Sequence, residues 1–285
     1  TVKNHEIIAM QTLRTSAWAG LFAVWIAMSA QAQSPINAPG AMQPSTGTGV
    51  FHPMFIYRHL DDNPTNNEQS VNEYIALIQV AYGVSSKFSL QFDAPLIYRD
   101  INLSPSGSDD EFDIGDMTLL AKYRLFQDDS APTNTMRFSV IGGLQIPGQI
   151  DYVTDSSNDA WDPIIGGVFS TVQGRHGFNA SALWEFYTGD ASETNSDSLR
   201  YDLSYLFRMS PTEYTAESSG ALYAVLELNG NYGTNGENQL FLSPGIMYEG
   251  RTFTVDGTVM IPVWQDLKYR ADVEIVVGAG LRLSF

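Results

Sequence analysis

Cysteine is missing from this chain of 285 residues, and charge is scarce, since only 16% of the residues are Asp, Glu, Lys or Arg. The absence of cysteine excludes a disulfide scaffold and thiolate metal sites. Basic residues are the rarer charged kind, with 15 Lys and Arg against 32 Asp and Glu and a formal net charge of -17. Nucleic acids need basic patches to contact their phosphates, so the composition argues against nucleic acid as a partner.

Long hydrophobic runs are also few. The run Ala17–Met28 has about twelve residues, whereas a transmembrane helix needs about 20. Arg14 precedes this run and Ala30-Gln31-Ala32 follows it, which is the charged, apolar and small-x-small order of a secretory signal peptide. We therefore expect an exported protein that is either soluble or crosses a membrane as strands.

The last fourteen residues, Asp272–Phe285, alternate strictly between apolar and mostly polar positions. This period of two predicts a β-strand that is longer than the usual strand of about 5–6 residues in soluble proteins. A final strand that closes on phenylalanine resembles the terminal signal of bacterial outer-membrane β-barrels, which would engage the barrel-assembly machinery. The residues that carry this resemblance are Gly280, Leu281, Leu283 and Phe285.

The preceding residues repeat the same pattern. In Phe88–Arg99, for example, Phe88, Leu90, Phe92 and Tyr98 share one face, with aromatic residues at both ends as in the interfacial girdles of membrane barrels. Longer and shorter connections tend to alternate, as expected for extracellular loops and periplasmic turns. We predict an all-β, antiparallel up-and-down transmembrane barrel of about twelve strands, at residues 50–59, 71–82, 88–99, 113–126, 135–146, 162–172, 177–188, 199–209, 220–232, 239–248, 252–264 and 272–285.

The chain therefore divides into four parts. Residues 1–9 are expected to be an upstream extension of the reading frame, and residues 10–32 the cleaved signal peptide. Residues 33–49 are rich in Pro, Gly, Ser and Gln, which predicts a flexible lead-in. It either hangs in the periplasm or folds into the lumen, and the sequence leaves both possibilities open. Residues 50–285 form the predicted barrel.

The polar faces of the predicted strands carry both signs of charge. Arg or Lys facing lipid near the midplane would cost about 2–4 kcal/mol, so we expect these side chains in the lumen, where they either set the selectivity of a conduit or form ion pairs in a closed barrel. The candidate lumen residues are Asp93, Arg99, Asp116, Lys122, Arg124, Arg137, Glu185, Arg200, Asp202, Arg208, Glu227, Asp256, Glu274 and Arg282.

Chemistry beyond transport has little support. The predicted loops are acidic, as at Asp61, Asp62 and 109–111, and such a rim can attract cations, bind divalent ions or hydrate the surface. His59, beside Asp61 and Asp62, is the one candidate for a base with an orienting carboxylate, but no GxSxG nucleophile setting accompanies it. We expect no catalytic residues, no cofactor and no dedicated metal site.

Three stretches carry a family resemblance. Phe112–Phe126, Leu226–Tyr248 and Val259–Leu267, the last followed by the terminal GAGLRLSF, resemble the outer-membrane family associated with the MetA pathway of phenol degradation. The matched motif positions are Gly115, Asp116, Lys122, Tyr123, Pro244, Gly245, Pro262, Gln265, Asp266 and Leu267. The resemblance implies an outer-membrane barrel that admits hydrophobic or aromatic compounds, and it assigns no functional role to any of these residues.

Composition, pattern and resemblance together predict a porin-like channel in the outer membrane of a Gram-negative bacterium. Its expected partners are outer-membrane lipid, a small-molecule solute and the barrel-assembly machinery. Facilitated diffusion of small, hydrophobic or aromatic solutes is the leading functional hypothesis. A closed barrel with a structural or surface-interaction role is the alternative, and an outer-membrane lipid hydrolase using His59 is the third.

Overall fold

The structure is a computed structural model that describes residues 33–62, 68–103, 107–131, 133–148, 160–189, 196–215 and 217–285. The predicted upstream extension and signal peptide lie outside these residues. Within them, no helix has the length and apolar character needed to cross a membrane.

The described residues form strands joined into one antiparallel sheet. The strands are β1 (Gly49–Asp61), β2 (Glu68–Gly83), β3 (Phe88–Leu103), β4 (Gly107–Ile114), β5 (Met117–Ala131), β6 (Asn134–Ile146), β7 (Asp162–Gln173), β8 (His176–Glu185), β9 (Ser198–Ser210), β10 (Gly220–Gly233), β11 (Asn238–Gly250), β12 (Phe253–Asp266) and β13 (Asp272–Ser284).

Twelve of these strands close into a barrel, which confirms the predicted architecture. The closure is the pairing of β1 with β13, which runs from Val50 opposite Ser284 to Asp61 opposite Asp272. Phe285 completes it, because its backbone N–H donates to the Gly49 carbonyl and the Gly49 N–H donates to the Phe285 carbonyl. We call this end of the barrel the terminal end and the opposite end the loop end.

β4 is the strand outside the ring. β3 pairs with β5 along Phe88–Asp93 and with β4 along Leu96–Leu103, so β4 and β5 together occupy the place of the predicted fourth strand. The prediction of a loop at residues 100–112 was wrong, because most of this stretch extends the β3–β4 hairpin. Its acidic sequence lacks an apolar face, which a strand requires only where it borders lipid or a core.

Two further boundaries differ from prediction. β5 continues to Ala131 and β6 begins at Asn134, so the predicted turn at residues 127–134 is shorter. Gln265 and Asp266, predicted in a loop, are the last residues of β12. The connection at residues 211–219 between β9 and β10 is long, as predicted.

Alternation decides which side chains face lipid. Asp202 is 2% exposed and the next residue, Leu203, is 57% exposed, so the barrel is apolar outside and polar inside, the reverse of a soluble protein. In β13, Val277, Leu281 and Leu283 are exposed on the predicted apolar face. The pairing of β13 with β1 shifts in register between His59 and Leu60. Because of this shift, the Val273 side chain is buried in a cluster with Leu60.

Candidate functional site in the barrel lumen

The lead-in before β1 lies inside the barrel. We call residues 33–48 the lumenal segment. Ala41 is fully buried and Ile36 nearly so, and the segment leaves the lumen at Thr46, which bridges to Gly83 at the terminal end of β2. The lumenal position is thus the one of the two predicted alternatives that the structure adopts. The segment has no charged residue and takes part in the barrel sheet only at that bridge, so the barrel wall must supply partners for its backbone.

Glu227, on β10, binds the lumenal segment near its start. Its carboxylate accepts hydrogen bonds from the backbone N–H of Ile36 at 3.0 Å, from the N–H of Asn37 at 2.8 Å and from the Asn37 side-chain amide at 2.7 Å. Ile36 also packs into a buried cluster with Tyr223 and Met247. A buried carboxylate that accepts three N–H donors forms strong, charge-assisted bonds, so Glu227 is the main anchor of this segment.

Three cations of the wall bind carbonyl groups of the same segment. Lys122 Nζ donates to the Gly40 carbonyl at 2.6 Å, an Arg200 guanidinium nitrogen to the Asn37 carbonyl at 2.5 Å, and Arg282 to the Pro35 carbonyl at 2.6 Å. The Glu227 carboxylate therefore binds N–H groups of the lumenal segment, and the three wall cations bind its C=O groups.

Beside the lumenal segment lies a cavity of about 160 Å³. We call it the lumenal cavity. Its wall side comes mainly from β1, β2, β3 and β5, with Leu183, Arg200 and Arg282 from β8, β9 and β13. Besides the two arginines, its polar wall groups include Gln79, Gln91, Asp93 and Lys122.

Strands β8 to β11 of the wall carry a buried hydrogen-bond network. Asp202 accepts from Ser181 at 2.8 Å and from Asn229 at 2.9 Å, and Ser243 donates to Asn229 at 2.7 Å. A satisfied polar network of this kind makes this part of the wall rigid.

Two clusters, each made of oppositely charged side chains, join the strands near the barrel closure. Asp256 lies 3.0 Å from Arg282 and 3.5 Å from His52. Nearer the loop end, buried Glu73 accepts from Arg99 at 2.8 Å and also from Arg58. Glu73 was missed in the sequence, although it lies on the face of its predicted strand opposite Tyr74, where a lumenal residue is expected.

Other predicted lumen residues have structural partners or different positions. Arg137 pairs with Asp129 at 2.8 Å. Arg208 stacks over the Tyr214 ring at 4.1 Å. Arg124 donates to the Ser86 carbonyl at the terminal end.

The remaining two candidates lie toward the loop end. Glu185 is the last residue of β8. Glu274 is an exposed residue of β13 beside the register shift.

The family motif positions cluster at two places in the wall. Between β4 and β5, Gly115 donates its N–H to the Pro95 carbonyl at 3.0 Å, and Asp116 accepts from Gln145 and from the Gly148 N–H, both at 2.8 Å. These bonds hold the break between β4 and β5.

The second place is on β11 and β12. Gly245 follows Pro244 on β11 and lies so close to Ile36 that an added Cβ would be 2.7 Å from its Cδ1. Gln265, on β12 between Pro262 and Leu267, exchanges two hydrogen bonds with the Val273 backbone. Tyr123, by contrast, is exposed on the outer face.

The two histidines of β1 have different partners. His59 Nδ1 lies 2.9 Å from the Asn72 side-chain oxygen, so the side chain paired with this candidate base is an amide and not a carboxylate. The histidine beside a carboxylate is His52, which is buried in the lumen next to Asp256. Among the described residues, no three His, Asp or Glu side chains form a group that could hold a metal ion.

A closed antiparallel barrel with an apolar exterior and a charged lumen defines an outer-membrane β-barrel protein, and the bacterial outer membrane is its location. The chain belongs to the family described as "Putative MetA-pathway of phenol degradation", whose model matches residues 90–266. The family predicted from the sequence motifs is thus confirmed. No curated protein sequence matches the chain.

Several solved structures are similar to this chain, and the first of those below, with a TM-score above 0.5, supports the same fold. The COG4313 outer membrane channel from Pseudomonas putida F1 is 13% identical with a TM-score of 0.59, over 88% of this chain and 100% of that one. The CymD monoaromatic hydrocarbon channel is 12% identical with a TM-score of 0.42, over 86% of this chain and 89% of that one. The β domain of the Bordetella autotransporter BrkA is 12% identical with a TM-score of 0.45, over 84% and 99%.

Proposed function

We propose that this protein is an outer-membrane channel that passes small solutes, hydrophobic or aromatic ones among them, by facilitated diffusion. The observation that carries the proposal is the lumenal cavity, which lies in the barrel interior between the wall and a segment that is not part of the sheet. Membership of a family named for phenol degradation supports the aromatic class of solute. The proposal requires no cofactor and includes no catalytic step.

Passage of a solute larger than water requires the lumenal segment to move. About 160 Å³ is below the usual range of about 300–1,000 Å³ for ligand pockets. The segment contributes a single isolated bridge to the sheet, at Thr46, and is otherwise held by hydrogen bonds to side chains. Such bonds can be exchanged for water one at a time, whereas a strand of the wall cannot leave without opening the barrel.

The experiment is single-channel recording of residues 33–285, refolded and inserted into planar bilayers at two salt gradients. Discrete current steps with a defined reversal potential are expected. A folded, heat-modifiable barrel that never conducts, either unmodified or with its lumenal segment released, would overturn the proposal. That result would favour a closed barrel with a structural or surface-interaction role.

A cysteine lock tests whether the lumenal segment moves. The chain has no native cysteine, and the Ala41 N–H donates to the Ser170 hydroxyl at 2.8 Å, so Ala41→Cys with Ser170→Cys joins the segment to β7. Oxidation is expected to reduce conductance and dithiothreitol to restore it. Each single-cysteine variant is the matched control. Equal conductance of the oxidised and reduced forms would contradict movement of the segment.

A further inference from the structure

We infer that the lumenal cavity is a binding site for a small organic anion, a carboxylate attached to an apolar body about the size of one ring. This inference rests on the proposed function, because it names the solute class of the same path. It derives from the direction in which charged groups point into the cavity and from the apolar groups that face them.

The first cation is Lys122, and its charge is only partly compensated. An ammonium has three N–H donors, and the hydrogen bond to the Gly40 carbonyl uses one of them. The carboxylate that faces it electrostatically is Asp93, whose two oxygens accept from the Gln91 amide at 3.0 and 2.9 Å and form no hydrogen bond with Lys122 in the described part of the structure. Lys122 therefore has N–H donors to offer to a ligand oxygen in the cavity.

The second cation, Arg200, has its counter-charge behind it. Arg200 lines the lumenal cavity with its side chain half exposed, whereas Asp202, 3.5 Å from its Nε, is buried and does not line the cavity. Asp202 also accepts from Ser181 and Asn229. The guanidinium donates to the Asn37 carbonyl and also faces the Asp93 carboxylate electrostatically. Its exposed part lies at the cavity, and its planar fork suits a further carboxylate.

The net charge of the residues that line the cavity favours an anion over other solutes. Lys122, Arg200 and Arg282 line the cavity with a single carboxylate, Asp93, although the whole chain carries a net charge of -17. Asp256, the partner of Arg282, does not line the cavity. A cation placed here would meet three like charges, and a neutral molecule can accept hydrogen bonds from Lys122 and Arg200 but brings no negative charge to balance them.

Apolar groups also line the cavity. Leu120 and Leu183 come from the wall, and Pro35, Ile36 and Met42 from the lumenal segment. A ring can rest on these side chains while its carboxylate reaches the cations, as is usual for sites that combine an apolar lining with a few placed polar groups. The small volume limits the ligand to about one ring.

The test uses benzoate, benzyl alcohol and benzylammonium as probes of one size and three charges. Their binding to the folded protein, residues 33–285 in detergent, is measured by isothermal titration calorimetry. We expect benzoate to bind at least about tenfold more tightly than either analogue, and Lys122→Gln and Arg200→Gln each to weaken it by about tenfold. Arg175→Gln, which alters an arginine stacked on Phe207 away from the cavity, is the control and should leave binding unchanged.

Two results would overturn the inference: equal affinity for benzoate and benzyl alcohol, or unchanged benzoate affinity in both variants. Arg200→Gln keeps the test valid if Lys122→Gln does not fold, because Arg200 is half exposed and the buried Asp202 beside it still accepts hydrogen bonds from Ser181 and Asn229. Conductance distinguishes the two proposals. Selective benzoate binding by a barrel that never conducts would support the anion site and overturn the channel proposal. A conducting barrel with no preference for benzoate would support the channel proposal and overturn the anion site.

Discussion

Glu227 and Asn37, which are 190 residues apart in the sequence, are joined by two hydrogen bonds in the barrel interior. The Glu227 carboxylate accepts from both the backbone and the side chain of Asn37, and a third bond comes from Ile36. One buried carboxylate thereby fixes the lumenal segment to β10. This relationship makes Glu227 the first place to test how the lumen is occluded.

Glu227→Gln is expected to increase conductance. The amide keeps the shape of the carboxylate but offers one acceptor oxygen and two donors, which oppose the N–H groups of Ile36 and Asn37. Hydrogen bonds to charged groups contribute about 1.5–3 kcal/mol each, so loss of one should raise the open population about tenfold or more. Single-channel recording measures this, and an unchanged open probability would show that Glu227 does not hold the segment.

Gly245→Ala should displace the lumenal segment through sterics alone. An added Cβ would lie 2.7 Å from Ile36 Cδ1 and 2.9 Å from the Gly257 carbonyl oxygen, so the Ile36 side chain must shift. We expect more frequent channel opening with the barrel still folded. Gly257→Ala is the matched control, because its Cβ would meet only the Gly278 carbonyl oxygen at an ordinary 3.7 Å. Equal behaviour of the two variants would contradict the steric explanation.

Asp256→Asn should destabilise the barrel closure. Asp256 is buried against Arg282 and His52, and removing one partner of a buried ion pair costs about 3–5 kcal/mol because the other charge stays buried. The urea midpoint, followed by heat-modifiable migration, should fall clearly. Asp266→Asn changes an exposed aspartate at the end of β12 and should leave the midpoint within error. A similar midpoint for both variants would argue against the ion pair as a closure contact.

Acid should loosen the connection between β12 and β13. Glu237, in the β10–β11 loop, accepts from the N–H groups of Lys268 and Tyr269 and from Arg270. Burial alone would raise the pKa of Glu237, but Arg270 and these N–H donors outweigh burial and hold the pKa below its ordinary value of 4.5.

The sign of this pH dependence follows from the depressed pKa. The stabilisation by Glu237 is fully present above pH 4.5 and is lost as the pH falls through the lower, folded-state pKa. Amide hydrogen exchange at Lys268 and Tyr269, corrected for intrinsic pH dependence, should accelerate over that range. Glu237→Gln should exchange faster already at neutral pH and show no such transition. Constant protection of the native loop down to pH 2 would contradict this role.

The strands were predictable wherever they cross the membrane. Lipid on one side and a polar lumen on the other force neighbouring residues such as Asp202 and Leu203 to opposite faces, and this alternation is visible along most of each membrane-crossing strand. β4 was missed because its acidic residues lie where no lipid imposes an apolar face. Glu73 followed the alternation but was overlooked, so its lumenal position was readable from the sequence, whereas its pairing with Arg58 and Arg99 was not.

The sequence by itself determined the class of the protein, its outer-membrane location and the number of strands in the ring, because the bilayer imposes a pattern that each strand satisfies locally. The family came from the resemblance of three sequence motifs. Only the tertiary structure decided that residues 33–48 enter the lumen and which charges meet there. Those contacts join residues up to 247 positions apart, such as Arg282 and Pro35. A segment with no charge and no period takes its position from groups that the closed barrel brings together, and no local pattern encodes them.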